Sequence, residues 1–173
     1  MKIETARLCL FPLTASQLKR AIRNAPRVAA DMGLLLGPCG FWVRHKQRKM
    51  YRAKYLIMKI SPQAWLVTTI WFICDKQTSA VVGEAGFKGP PSMGRLEIGY
   101  ATRREYRSRG YMTEAVDALC RAAWAFPGYA VTSVAARTLP GNTASHRVLQ
   151  KNGFERDGVS GKCWKWIKTP PPE

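Results

Sequence analysis

Residues 95–125 constrain the fold more than any other stretch. They pass from a strand pattern, through a glycine set among arginines, into a helix. Met112, Ala115, Val116, Leu119, Cys120 and Ala123 recur at helical spacing and give that helix one apolar face. The connection reads Arg103-Arg104-Glu105-Tyr106-Arg107-Ser108-Arg109-Gly110-Tyr111-Met112. A helix start leaves backbone N–H groups free and carries a partial positive charge, so it suits an anion. Gly110 has no Cβ and lets the backbone come close to a phosphate. Arg107 and Arg109 can add charge-assisted hydrogen bonds. The chemistry fits a pyrophosphate; the plainer reading is a turn glycine between solvated arginines.

Upstream, residues 7–13 read as a strand, and 14–24 as a helix with Thr14 as its N-cap. Pro26, the stretch 33–40 and Pro38 interrupt the pattern. Residues 41–60 read as a long basic helix ending before Pro62, with Val43, Met50 and Ile57, seven apart, as its apolar stripe. Residues 65–74 are rich in Val, Ile, Thr and aromatics and read as a buried strand. A turn at 75–77, a strand over 79–87, a break at Gly89-Pro90-Pro91-Ser92 and the strand 95–102 complete an antiparallel meander. Downstream, 131–138 reads as a strand and 144–151 as a helix stopped at Asn152-Gly153. A hairpin over 154–156 and 163–167 closes the chain. The order predicts a mixed α/β sandwich around one sheet. The expectation is one domain over 1–168 and a Pro-rich tail over 169–173.

The length of 173 residues suits one domain. The 5 cysteines are odd in number and scattered, with no C-x-x-C pair, so neither a zinc site nor a disulfide framework is suggested. Reduced thiols in a cytoplasmic protein are the expectation. The opening residues lack a secretory pattern, and the longest apolar run, 64–74, is too short to span a bilayer. The net charge is +17. Residues 1–60 hold 13 Lys/Arg against Glu4 and Asp31, or +11; the rest hold 15 against 9, or +6. Such a field attracts nucleotide phosphates, nucleic acid or acidic surfaces.

A second motif lies downstream of the glycine loop: Asn142-Thr143-Ala144-Ser145-His146-Arg147-Val148-Leu149-Gln150-Lys151-Asn152-Gly153-Phe154. Together the two segments resemble the GNAT superfamily of N-acetyltransferases, and most nearly its ribosomal-protein N-terminal acetyltransferase branch. That family carries an R/Q-x-x-G-x-G/A loop, here Arg107 to Met112. It also carries an N-x-x-S-x-x-[VL]-x-x-K-x-G-F stretch, here Asn142, Ser145, Val148, Lys151 and Gly153-Phe154. Glu97-Ile98-Gly99-Tyr100 resembles the branch's fourth strand. The match covers about 64–158, with a family-like opening at 4–13. Met112 departs from the motif's small residue.

The resemblance implies a GNAT-like, mostly antiparallel sheet of about seven strands, splayed between the fourth (95–102) and fifth (131–138) and flanked by about four helices. It implies acetyl-coenzyme A as co-substrate, with no metal. Backbone groups of Tyr100, Ala101 and Thr102 would pair with the pantetheine arm. The backbone of Arg107, Ser108, Arg109, Gly110, Tyr111 and Met112, with Thr113, would cradle the pyrophosphate. Asn142 would hold the pantetheine, and Ser145 would lie near the sulfur, where its hydroxyl would give modest catalytic help to the leaving thiolate. The acceptor amine must lose a proton to attack. Glu97 is the first candidate base and Glu84 the second; the plainer reading of Glu97 is an ion-paired strand residue. His45 and His146 read as surface or packing residues, and Cys120 as core.

Arg44, Lys46, Arg48, Lys49, Arg52, Lys54 and Lys59 crowd the helix 41–60, with Trp42, His45, Tyr51 and Tyr55 interleaved. This mixture resembles a nucleic-acid surface; the alternative is a solvated face beside the acceptor cleft. Two functions follow. One is an N-acetyltransferase acting on a primary amine, a peptide or protein N-terminus or a small amine. The other is a catalytically weak module of the same fold that binds RNA or a ribosomal particle through helix 42–60. No membrane contact is expected, and a monomer or a homodimer both fit.

Overall fold

A computed structural model of the chain describes residues 1–37 and 41–171, with side chains left undescribed at 41–44. Eight strands form one sheet in the order β1-β2-β3-β4-β5-β6-β8-β7. They are β1 (Ile3–Glu4), β2 (Leu8–Pro12), β3 (Trp71–Asp75), β4 (Val81–Phe87), β5 (Arg95–Thr102), β6 (Ser133–Thr138), β7 (Glu155–Ser160) and β8 (Cys163–Lys168). Every neighbouring pair is antiparallel except β5 with β6. The helices are α1 (Ala15–Asp31), α2 (Phe41–Ile60), α3 (Trp65–Thr68), α4 (Tyr111–Trp124) and α5 (Thr143–Lys151).

Alternation along β3 divides the core in two. Trp71 and Ile73 join Leu8, Leu10, Leu96 and Ile98 with the α4 residues Ala115, Val116, Leu119 and Cys120. Phe72 and Cys74 join Leu13, Leu18, Val28, Tyr51 and Met58, on the side of α1 and α2. Successive strand side chains point to opposite faces, so α4 covers one face of the sheet and the α1–α2 pair the other.

The fold is the expected splayed α/β sheet, with three local corrections. The eighth strand is the short β1, so the expected fourth and fifth strands are β5 and β6. Residues 65–68, read as strand, are helical: Pro62 opens a 3-10 turn that runs on into α3. The indole of Trp65 donates to the Leu13 carbonyl at 2.9 Å, which holds that turn against the end of β2. The first helix breaks at Asn24, as expected, but an unexpected second helical segment follows it directly within α1. Asn24 leaves helical geometry (φ −150°), its side chain accepts from Arg27 N at 3.1 Å, and the helix restarts with Pro26 in its first turn.

The apolar stripe of α2 is also displaced. Met50 and Ile57 are each 37% exposed, and the side chain of Val43 lies outside the described residues. The buried face holds Tyr51, Lys54 and Met58 instead. Polar tips do not keep Tyr51 and Lys54 out, because both find partners. Tyr51 donates to Glu84 at 2.5 Å, and Lys54 Nζ donates to the Thr68 and Phe87 carbonyls at 2.7 and 2.5 Å. Pro38, Cys39 and residues 172–173 of the expected tail lie outside the described residues.

Candidate functional site

The parallel pair β5–β6 is short. Arg95, Leu96 and Glu97 face Ser133, Val134 and Ala135, and the ladder stops there. Beyond it β5 stays with β4, out to Thr102 opposite Gly83, while β6 stays with β8. The two strands therefore part after Glu97. Past that point a cavity of about 600 Å³ opens beside β5. Tyr100, Ala101 and Thr102 line it from β5, Arg107, Ser108 and Gly110 from the loop, and Asn142, Ser145 and Lys151 from the α5 region.

Sequence shapes the loop side directly. Gly110 precedes α4 at φ 76°, and Ser108 also sits in the left-handed region at φ 61°. The first α4 bond runs from Glu114 N to Gly110 O at 3.2 Å. The N–H groups of Tyr111, Met112 and Thr113, all in residues lining the cavity, thus have no helical acceptor. Across the gap, Asn142 Oδ1 caps α5 by accepting from Ser145 N at 3.2 Å. Its Nδ2 donates to no described residue.

Met112, the departure from the motif, is 5% exposed and turned inward. A Cβ on Gly83 would lie 3.1 Å from its Cε and 2.6 Å from Ala101 O. The missing side chain at Gly83, beside the β3–β4 bulge, makes room for the larger residue. Arg109 is placed differently from the rest of the expected cradle and does not line the cavity. Its carbonyl accepts from Arg7 Nη1 at 3.0 Å, and its guanidinium lies over Tyr106, 5.6 Å from the ring centroid.

The two candidate bases differ sharply. Glu97 is paired with Lys88 and, at 2.9 Å, with Arg137. Burial alone would raise its pKa, but Arg137 and Lys88 together hold it below the ordinary carboxylate value. It ties β4, β5 and β6 together at the point of divergence. Glu84 faces Ala101, a cavity residue, directly across β4 and β5. Burial pushes its pKa up, opposed by hydrogen bonds from Tyr51 and from Gln47 Nε2 (3.1 Å to Oε2). Beside Ser145, the Tyr100 hydroxyl donates to the Ser145 carbonyl at 3.3 Å, and burial pushes that phenol up to about 12.

Residues that the sequence motifs did not single out as ligand contacts also gather here. Arg147, Val148 and Lys151 line the cavity with Ala144 and Ser145. Helical spacing from Asn142 carries that signal, since 144, 147–148 and 151 share a face. Tyr51 and Gln47 carry none, being over 30 residues from Glu84. His146 stacks on Trp164 at 4.6 Å, a packing role, and His45 is exposed. Cys120 is fully buried on α4, where burial pushes its thiol up to about 12.

On α2, Lys46, Arg48, Lys49, Arg52 and Lys59 are exposed, while Lys54 is buried. Tyr51 is fully buried in the core, while Tyr55 is half-buried and packs against that core. The side chains of Trp42 and Arg44 lie outside the described residues. Among the described residues no helix is long and apolar enough to cross a membrane.

The chain is 36% identical over 98 residues to the uncharacterized N-acetyltransferase YjdG of Bacillus subtilis, a match covering 56% of this chain and 57% of that protein. The chain spans about half the length of the curated relatives it matches. RimL, the ribosomal L7/L12 alpha-N-protein acetyltransferase, in complex with coenzyme A, shares its fold: TM-score 0.65, 16% identity, 98% of both chains covered. So does the ribosomal-protein-S5-alanine acetyltransferase of Vibrio fischeri: TM-score 0.61, 17% identity, 98% of this chain and 96% of that one. The acetyltransferase (GNAT) domain model matches residues 7–155, and with the parted strands and amide-lined loop on the same stretch, the chain belongs to that family.

Proposed function

We propose that the protein transfers an acetyl group from acetyl-coenzyme A to a primary amine, by direct attack within a ternary complex. The observation that carries this is the parting of β5 from β6 over an amide-lined cavity. In this reading the diphosphate sits on the N–H groups at 108–113, the arm runs past Asn142 along Tyr100, Ala101 and Thr102, and the thioester reaches Tyr100 and Ser145. Glu84 takes a proton from the acceptor ammonium, directly or through water. The free amine attacks the thioester carbonyl carbon, and backbone N–H groups near Tyr100 stabilise the oxyanion. The carbon–sulfur bond breaks, the attacking nitrogen gives up its extra proton as the amide forms, and the departing thiolate takes up a proton, directly or through nearby hydroxyls. Ser145 and the protonated Tyr100 hydroxyl are the nearby donors. Glu97, held by two cations, acts in this scheme as the tie across the strands.

The net charge of +17 favours a peptide or protein α-amine over a polycation as acceptor. The test combines coenzyme A binding, read by thermal shift, with thiol release from acetyl-coenzyme A against a panel of amines and N-terminal peptides. The expected result is a melting temperature that climbs with ligand excess, together with thiol release for at least one acceptor. No change in melting temperature at millimolar coenzyme A would overturn the reading.

A further inference from the structure

The turn between β1 and β2, far in sequence from the glycine loop, is fastened to it by one side chain. Arg7 Nη1 donates to the Arg109 carbonyl at 3.0 Å, and Nε donates to Glu114 Oε2 at 2.7 Å. The Arg7 backbone N–H donates to the other oxygen of Glu114 at 2.9 Å, and Thr5 Oγ1 donates to that oxygen at 2.5 Å. The guanidinium also lies 4.9 Å from the Tyr111 ring centroid, and Tyr111 in turn donates to Asp75 at 2.5 Å. A Cβ on Gly110 would meet Arg7 Nη2 at 3.4 Å. Arg7 and Glu114 line a second crevice that meets the cavity at Gly110, Thr113 and Lys151.

Two consequences follow from elementary chemistry. In a trans peptide the C=O and the next N–H point in opposite directions, and this chain has no cis peptide among the described residues. Pinning the Arg109 oxygen to Arg7 therefore turns the Gly110 N–H away from Arg7. Glu114, meanwhile, stands in the first turn of α4. A carboxylate there suits an empty helix start but repels a phosphate arriving at the same place. Arg7 cancels that charge.

The geometry points to Arg7 as a positioning residue for diphosphate binding, which aims the Gly110 amide and neutralises Glu114. This rests on the proposed acetyl-coenzyme A site and assigns Arg7 no contact with the ligand. It is tested by calorimetry of coenzyme A, and of pantetheine, which lacks the diphosphate, on the wild-type chain, Arg7→Gln, Arg7→Lys, Glu114→Gln and the Arg7→Gln/Glu114→Gln pair. Arg7→Gln should weaken coenzyme A about tenfold, the scale of one lost charge-assisted bond, and pantetheine by less than about twofold. Arg7→Lys keeps the charge without the fork and should fall between. The paired variant should regain part of the loss, because the uncancelled carboxylate is gone. In turnover, Arg7→Gln should raise KM for acetyl-coenzyme A by a similar factor, with much less change in kcat.

Equal losses for coenzyme A and pantetheine, or no rescue in the pair, would mean that Arg7 only holds the fold, and would overturn the inference. So would unchanged coenzyme A affinity in Arg7→Gln. If that variant does not fold, Arg7→Lys carries the same comparison. A wild-type chain that binds no coenzyme A sinks the proposed function itself, an outcome distinct from the others.

Discussion

On the α4 side of β5 the cavity is lined by residues from three short segments, within 100–102, 106–113 and 142–151. On the opposite face a carboxylate, Glu84, is held by the side chains of Tyr51 and Gln47, which reach across from α2. The first side owes its geometry to local rules: a helix start, two left-handed residues and a cap. The second owes it to tertiary packing between elements remote in sequence. Backbone binding tolerates changes of side chain, as Met112 shows by folding away against Gly83. A side-chain network does not, so the two sides should respond differently to substitution.

The largest expected effect is on the α2 side. Glu84→Gln should lower kcat by about 100-fold or more, the usual weight of a general base, while coenzyme A affinity by calorimetry stays within about twofold. Glu97→Gln should cost less than about threefold in kcat. Equal losses from both would erase the distinction between the carboxylates, and lost coenzyme A affinity in Glu84→Gln would join the two sides into one network.

Next in size is Tyr51→Phe. The Tyr51 hydrogen bond favours the ionised Glu84 and opposes burial, which raises its pKa. Removing the hydroxyl should raise that pKa further. The acid limb of the pH profile of kcat/KM should then move to higher pH. At a fixed acidic pH, kcat/KM falls by up to about tenfold for each pH unit the limb travels. An unmoved limb would detach Tyr51 from the titrating group.

The smallest effect lies in the loop. Ser108 holds a left-handed conformation that costs an L-residue about 1 kcal/mol or more. Ser108→Gly should raise the melting temperature of the ligand-free protein by about 1–3 °C, after the entropy cost of glycine. Coenzyme A affinity should hardly change. A marked loss of affinity would mean that the Ser108 side chain, and not only the backbone, belongs to the cradle.

The same contrast explains what was legible in the sequence. Gly110, Asn142 and the Gly153 stop stand in contiguous motifs whose spacing encodes local geometry, so the cavity wall could be read from them. The α2 stripe could not. Counting apolar residues selects Met50 and Ile57, whereas the fold buries Tyr51 and Lys54 because Glu84 and two backbone carbonyls await their polar ends. Residues 65–68 misled for a related reason: their composition favours strand, but Pro62 had already started a helical turn. Glu97 and Glu84 look alike in sequence; Lys88 and Arg137 beside one, and burial with Tyr51 and Gln47 beside the other, separate them.

Mechanically, the three-residue junction of β5 with β6 makes the sheet two leaves, joined along about 10 Å of strand. One leaf runs from β1 to β5, and the other comprises β6, β8 and β7. A thioester arm lying in the gap would act as the absent rungs between them. Stiffness against shear of one leaf over the other would then come from the ligand, and slowed amide exchange along β6 would report occupancy from the far side of the hinge.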